Sequence, residues 1–225
     1  AGMIMPNMAT MLSFIMTDAV ISPALLREML PRAVEQSFNR ITVDGDTSTN
    51  DTVIIMASGR SGGPEINDLN SPEAAAFAGM LHEVTRDLAL QIVADGEGAT
   101  KLVTILVRGA RTDAEAELAA RTVANSALVK TAFFGSDPNW GRIMAALGRS
   151  GAAFNPARLL ISVGDNELIK DGRLLSAAAE RSAALIMARK EFSLTIDLKA
   201  GEAEAEIYTC DLSLDYVRIN ADYRT

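Results

Sequence analysis

Phe192-Ser193-Leu194-Thr195-Ile196-Asp197-Leu198, the turn Ala200-Gly201, and then Ala205-Glu206-Ile207-Tyr208-Thr209-Cys210 decide the fold class. Apolar and polar residues alternate through both runs, the period-two pattern of strands on either side of a turn. Upstream the pattern becomes helical over 176–190, an alanine-rich stretch. Before it, Asp171-Gly172 stands between Leu168-Ile169 and Leu174, a strong signal for a two-residue hairpin turn. Residues 159–163 read as a strand, and 102–107 as a buried strand behind the glycine turn 95–100. Thr112 and Glu115 form a capping-box pattern that opens a helix to about Lys130, and the loop 135–141 leads into a short helix reaching Leu147. Toward the N-terminus, Ser22-Pro23 and Ser71-Pro72 each pair a cap residue with proline at the first helical position. They open helices over about 23–38 and 72–94, and Pro31 is expected to kink or split the first. Residues 11–16 read as a strand, 52–57 as a buried strand and 60–70 as loop. Helices and strands interleave without strict βαβ repetition, which points to α+β layers. The best candidate boundary between two halves is 108–111.

Composition narrows the function. The 225 residues are 48% hydrophobic and 22% charged, enough to bury the core of one large domain or two small ones. The net charge of −8 argues against a nucleic-acid surface and against an anionic membrane surface. No apolar run approaches the roughly 18 residues of a membrane span. Pro6 and Asn7 interrupt the first apolar stretch and no basic region precedes it, so a secretory signal is not expected and the cytoplasm is. The first residue is Ala1 rather than methionine, as expected of a processed product or a fragment. Cys210 is the single cysteine, so no internal disulfide can form, and a Ser-His-Asp triad would have to run through His82, the single histidine. A zinc site on His and Cys lacks ligands, and no metal is expected.

Several motifs fail on their own chemistry. Asp44, Asp46 and Ser48 imitate a calcium loop, but Thr49 and Ile55 stand where that loop needs glycine and glutamate. Gly59, Gly62 and Gly63 lack the Gly-Lys-Ser/Thr of a phosphate loop, and Lys101 replaces the last glycine of a dinucleotide fingerprint after Gly96 and Gly98. Trp140, within Asp137-Pro138-Asn139-Trp140-Gly141-Arg142, is either a site residue or a ring that anchors its loop. Glu97 is either an exposed turn acid or a carboxylate held by a rigid turn for a substrate ammonium. Thr10 becomes a strong nucleophile if its α-amine is freed, because that amine, with a pKa of roughly 7.7–8.0, then serves as general base. Nine residues precede Thr10, so this chemistry requires cleavage at Ala9-Thr10.

Gly2-Met3-Ile4-Met5-Pro6-Asn7-Met8-Ala9-Thr10-Met11-Leu12 closely resembles the self-cleavage site of the ornithine acetyltransferase (glutamate N-acetyltransferase) family of arginine biosynthesis. The similarity continues in Phe38-Asn39-Arg40-Ile41-Thr42-Val43-Asp44-Gly45-Asp46-Thr47-Ser48-Thr49-Asn50-Asp51 and in Gly96-Glu97-Gly98-Ala99-Thr100-Lys101. It extends through Phe134-Gly135-Ser136-Asp137-Pro138-Asn139-Trp140-Gly141-Arg142 to Tyr216-Val217-Arg218-Ile219-Asn220-Ala221-Asp222-Tyr223-Arg224-Thr225. Five motifs in order span the chain.

The resemblance implies a layered α/β/β/α fold like that of N-terminal nucleophile hydrolases, with a C-terminal α+β part. It implies that residues 1–9 are the tail of an α chain, 10–109 the rest of the catalytic layered domain, and 110–225 a C-terminal domain whose tail returns to the site. It implies self-cleavage at Ala9-Thr10, then acetyl transfer from N-acetylornithine to glutamate through an acetyl-threonine at Thr10. Thr10, Glu97, Asn220 and Thr225 match the family's substrate-binding positions. The oxyanion-hole residues fall in the absent α chain, so this stretch alone is expected to form an incomplete site. The implied enzyme is a cytoplasmic (αβ)₂ heterotetramer without a cofactor, with acetyl-CoA as a further donor in the bifunctional members. Tyr216, Val217 and Ile219 are expected to anchor the C-terminal segment in the core, with Tyr223 packed beside it. The alternatives are an autoprocessed aminopeptidase or amidase of the same fold, and an uncleaved assembly subunit.

Overall fold

The two strands on either side of Ala200-Gly201 do not pair with each other, because a third strand runs between them. The computed structural model describes residues 11–46 and 51–222. They fall into two compact units, one built mainly from 92–222 with 42–44, the other from the preceding described residues up to Gln91. The division therefore lies inside a helix at 91–92, and 108–111, the boundary read from the sequence, lies within the larger unit.

The larger unit holds a mixed sheet of seven strands. These are β2 (Ile41–Thr42), β4 (Leu102–Ala110), β5 (Leu160–Val163), β6 (Asn166–Lys170), β7 (Arg173–Leu174), β8 (Glu191–Asp197) and β9 (Ala203–Cys210), in the order β2-β9-β4-β8-β5-β6-β7. β4 runs parallel to β8 and antiparallel to β9, so the connection from β8 to β9 crosses the end of β4. Ala200 and Gly201 donate their N–H groups to Gly109 O at 2.7 and 2.8 Å there. A Cβ on Gly201 would stand 2.2 Å from Ala110 O, so the crossing needs a glycine. Val103, Ile105 and Val107 of β4 are wholly buried, and a continuous core joins them to Phe133, Leu147, Ile161, Leu194, Ile196 and Ile207. At the Asp171-Gly172 turn both residues have positive φ, 49° and 69°, and Lys170 pairs with Arg173, as the hairpin reading requires.

Helices cover this sheet. α3 (Asp113–Ala124) contacts β4 and β9, and α6 (Ala177–Met187) contacts β5, β6 and β8. Thr112 caps α3 through Glu115 N at 3.2 Å, but the Glu115 carboxylate turns to Arg111 rather than back to the cap. The helix expected to reach Lys130 is two helices, since Asn125 and Ser126 end α3 and start α4 (Ala127–Phe134). Asn139 then caps α5 (Trp140–Gly148), and α7 (Leu214–Asp222) is the last element of the described residues.

The smaller unit pairs β1 (Leu12–Thr17) with β3 (Thr52–Ala57) in parallel, Leu12 opposite Thr52 and Thr17 opposite Ala57. α1 (Pro23–Glu35) and most of α2 (Pro72–Ala94) belong to this unit, with Ile15, Leu25, Met29, Phe77 and Leu81 in its core. α1 runs unbroken through Pro31 and stops at Glu35, so Pro31 does not split it. β3 is not buried as its apolar run suggested: Ile54 and Met56 are exposed, alongside Leu12, Phe14 and Met16 of β1. The small sheet thus presents one apolar face outward. The whole is α+β, as the sequence indicated. No helix among the described residues is long and apolar enough to cross a membrane.

Candidate functional site

Within the larger unit, four of the five motif stretches converge on the segment that follows β9. Asp211 is buried and accepts three hydrogen bonds: from Thr100 N at 2.8 Å, Thr100 Oγ1 at 2.6 Å and Lys101 N at 3.0 Å. Lys101 in turn donates through Nζ to Phe133 O, Phe134 O and Ser136 Oγ at 2.5, 3.2 and 2.7 Å. One lysine thereby closes the last turn of α4 and ties the Gly96–Lys101 motif to the Phe134–Arg142 motif. Burial pushes the Lys101 ammonium pKa down, while the Asp211 carboxylate works in the opposite direction. Tyr216 OH reaches Asp44 Oδ2 at 3.3 Å and brings in a third motif.

The turn that carries Glu97 is held from the same segment. Gly98 has φ +67°, and a Cβ there would meet Tyr216 N at 2.4 Å. The left-handed backbone and the close approach of the α7 entrance both require glycine at this position. Ser213 Oγ donates to Gly98 O at 2.6 Å, and Asn220 Nδ2 donates to Glu97 Oε2 at 2.9 Å. Of the residues expected in the site, Glu97 and Asn220 therefore lie together. Ala9, Thr10 and Thr225 lie outside the described residues, as does Tyr223.

Below this layer sits a second buried lysine. Lys130 donates through Nζ to Thr209 Oγ1 at 2.9 Å and to the Cys210 carbonyl, with Cys210 Sγ 3.6 Å away. Burial pushes the Lys130 pKa down and the Cys210 thiol pKa up. A thiol whose ionisation is opposed in this way is an inert core residue.

The expected anchoring of α7 is overturned. No residue of α7 is buried; Val217 is 60% exposed and Ile219 41%. Polar contacts through Tyr216 and Asn220 hold the helix instead, together with Ser213 just before it. Asp211 and Ser213 carry no signal by type alone, since neither stands in a recognisable chemical pattern. The only sequence hint is their place between a strand end and the last motif. Trp140 packs against the sheet core at the start of α5, the anchoring reading of the two. His82 lies on α2 in the other unit, its Nδ1 buried without a hydrogen-bond partner among the described residues. No cluster of His, Cys, Asp and Glu among the described residues could hold a metal.

The chain is 60% identical to the arginine biosynthesis bifunctional protein ArgJ of Desulfotalea psychrophila over 227 residues, covering 100% of this chain and 57% of that protein. It is 55% identical to the protein of the same name from Geobacter sulfurreducens, again over 57% of its length. The chain thus spans little more than half of these curated relatives. A crystal structure of arginine biosynthesis bifunctional protein argJ from Bacillus halodurans superposes with a TM-score of 0.89 at 42% identity, over 95% of this chain and 100% of that one. The family model matches residues 1–225 from end to end, and the chain belongs to the ArgJ family.

Proposed function

We propose that the protein carrying this chain transfers the acetyl group of N-acetylornithine to glutamate. Self-cleavage at Ala9-Thr10 frees the Thr10 amine. Thr10 Oγ then attacks the acetyl carbonyl and the amine takes the hydroxyl proton. The C–N bond of the amide breaks, the proton passes to the departing ornithine nitrogen, and an acetyl-threonine ester remains. The glutamate amine attacks that ester, the ester C–O bond breaks as the amine's proton passes to Thr10 Oγ, and N-acetylglutamate leaves with Thr10 restored. Glu97 and Asn220 bind the amino-acid portion, with Thr225 as a third contact.

The observation that carries this reading is the Glu97–Asn220 pair. Residues from two motifs far apart in sequence meet at 2.9 Å on a turn locked by Asp211, Ser213 and Gly98. An ionised carboxylate has about four lone-pair positions, and among the described residues Asn220 is the one donor to Glu97, so acceptor capacity remains for a substrate ammonium. Membership of a family whose relatives are named for arginine biosynthesis supports the substrate class. The outward apolar face of the small sheet supports a partner, an α chain from the same precursor in an (αβ)₂ assembly, because a two-stranded sheet is marginal by itself. We place the enzyme in the cytoplasm, without a cofactor, and with acetyl-CoA as a second donor.

The test is an assay of the full-length protein with acetylornithine, with and without glutamate, beside intact-mass analysis. Transfer to glutamate and a chain beginning at Thr10 are expected, and Thr10→Ala should stay uncut and inactive. Acetylornithine consumption that ignores glutamate would favour the hydrolase. An intact Ala9-Thr10 bond would favour the assembly subunit. Replacing acetylornithine by acetyl-CoA tests the second donor.

A further inference from the structure

Ser213 stands at the entrance to α7 and does two things with one hydroxyl. It accepts from Asp215 N and Tyr216 N, at 3.2 and 3.4 Å, as an N-terminal cap does. It also donates to Gly98 O at 2.6 Å, one residue beyond Glu97. The next two contacts of α7 with its surroundings follow at helical spacing. Residues 213, 216 and 220 share one face of a helix, separated by three and four positions. Tyr216 reaches Asp44 from that face, Asn220 reaches Glu97, and Asn220 Nδ2 also bonds Tyr216 O at 3.0 Å. Apolar packing does not fix the helix, since none of its residues is buried. The cap therefore sets where the helix starts, and the start sets where Asn220 stands two turns later. On the other side of the turn, Asp211 fixes Thr100 and Lys101, so the Gly98 end depends on Ser213.

We propose that Ser213 is a positioning residue for substrate binding: by tying the α7 entrance to Gly98 it sets the geometry at which Asn220 meets Glu97. The proposal rests on the reading of Glu97 and Asn220 as the pair that holds the amino-acid substrate. Ser213 touches no substrate in this account. Its effect passes entirely through the pair.

The experiment is a double-mutant cycle in the full-length, self-cleaved enzyme with Ser213→Ala, Glu97→Gln and both together. KM and kcat for acetylornithine with glutamate are measured beside Tm and the side-chain amide resonances of Asn220 by NMR. Ser213→Ala should raise KM about fivefold with kcat within about twofold, and it should shift the Asn220 amide signals. In the Glu97→Gln background, Ser213→Ala should add less than about twofold to KM, because residues acting through one another are not additive. A lowered Tm with unchanged KM and unchanged Asn220 signals overturns the proposal and leaves Ser213 a helix cap only. Independent multiplication of the two KM effects also overturns it. If Glu97→Gln leaves KM unchanged, the substrate-pair reading fails. The Asn220 resonances in Ser213→Ala then still decide whether Ser213 positions that side chain.

Discussion

Asn220 Nδ2 lies 2.9 Å from Glu97 Oε2, across 123 residues of sequence. Neither residue is buried, so the pair is not a core contact; a turn and a helix, each fixed elsewhere, bring it about. A carboxylate that pairs with a substrate ammonium contributes charge-assisted hydrogen bonds of about 1.5–3 kcal/mol each. Loss of one weakens binding by about 10–100-fold. Glu97→Gln should therefore raise the KM for acetylornithine by that order and spare self-cleavage, as read by intact mass. Unchanged kinetics in a normally cleaved variant would return Glu97 to an exposed turn acid.

Gly98 offers a test of the turn itself. Alanine there must hold φ near +67° with its Cβ 2.4 Å from Tyr216 N. The left-handed backbone alone costs about 1–3 kcal/mol in a non-glycine residue. The clash falls on α7, which has no buried side chain to resist displacement. Gly98→Ala should lower Tm by several degrees and raise KM for acetylornithine by at least tenfold. A variant with wild-type KM would show that α7 can move without disturbing the pair.

The strands around Ala200-Gly201, the Asp171-Gly172 hairpin and the Thr112 cap were legible because each is decided by residues close in sequence. The crossing of β4 between β8 and β9 was not, since alternation fixes which face a residue takes and not which strand lies beside it. The break at Asn125-Ser126 is hard to read because apolar residues resume at once in Ala127-Leu128-Val129, although the buried Val129, Ala132 and Phe133 of α4 fall out of helical phase with Ala116, Ala120 and Val123 of α3. The exposure of Ile54 and Met56 ran against the apolar composition of their strand. In the candidate site, Glu97 and Asn220 came from motif resemblance, while the supports at Asp211 and Ser213 came only from geometry. A serine or aspartate acquires such a role from where the chain folds back, which no local pattern records.

Asp197 links the sheet to pH. Its carboxylate pairs with Arg108 Nε at 3.1 Å and Lys199 Nζ at 2.8 Å and is itself buried. Burial pushes its pKa up, but hydrogen bonds and charge from Lys199, with the charge of Arg108, outweigh that and hold it below the usual 3.8. A depressed carboxylate pKa gives stability that is complete above the unfolded value and fades as pH falls through the folded one. Both cations are nearly half exposed, so solvent screening keeps the contribution small, about 1 kcal/mol. Asp197→Asn should thus be modestly less stable at neutral pH in urea titrations. Its deficit should close as pH drops below 3.8 and not before. A deficit that stays constant across that range would assign the loss to packing rather than to charge.

The last test concerns Arg224 and Thr225. Here the described contacts that hold α7 all lie upstream of Tyr223: Ser213 on Gly98, Tyr216 on Asp44 and Asn220 on Glu97. Val217 and Ile219 face solvent and give no apolar anchor that trimming could weaken. Deleting only Arg224 and Thr225 should therefore leave Tm and self-cleavage near their wild-type values. If Thr225 contributes its hydroxyl to the bound amino acid, acetyl transfer should fall at least tenfold, about 1.4 kcal/mol of transition-state binding. The measurement is kcat/KM for acetylornithine with glutamate, beside the melting curve. Full activity in that variant would leave Thr225 without a role at the substrate. Loss of activity matched by loss of Tm would make its role structural. Only activity lost at constant Tm places Thr225 at the substrate.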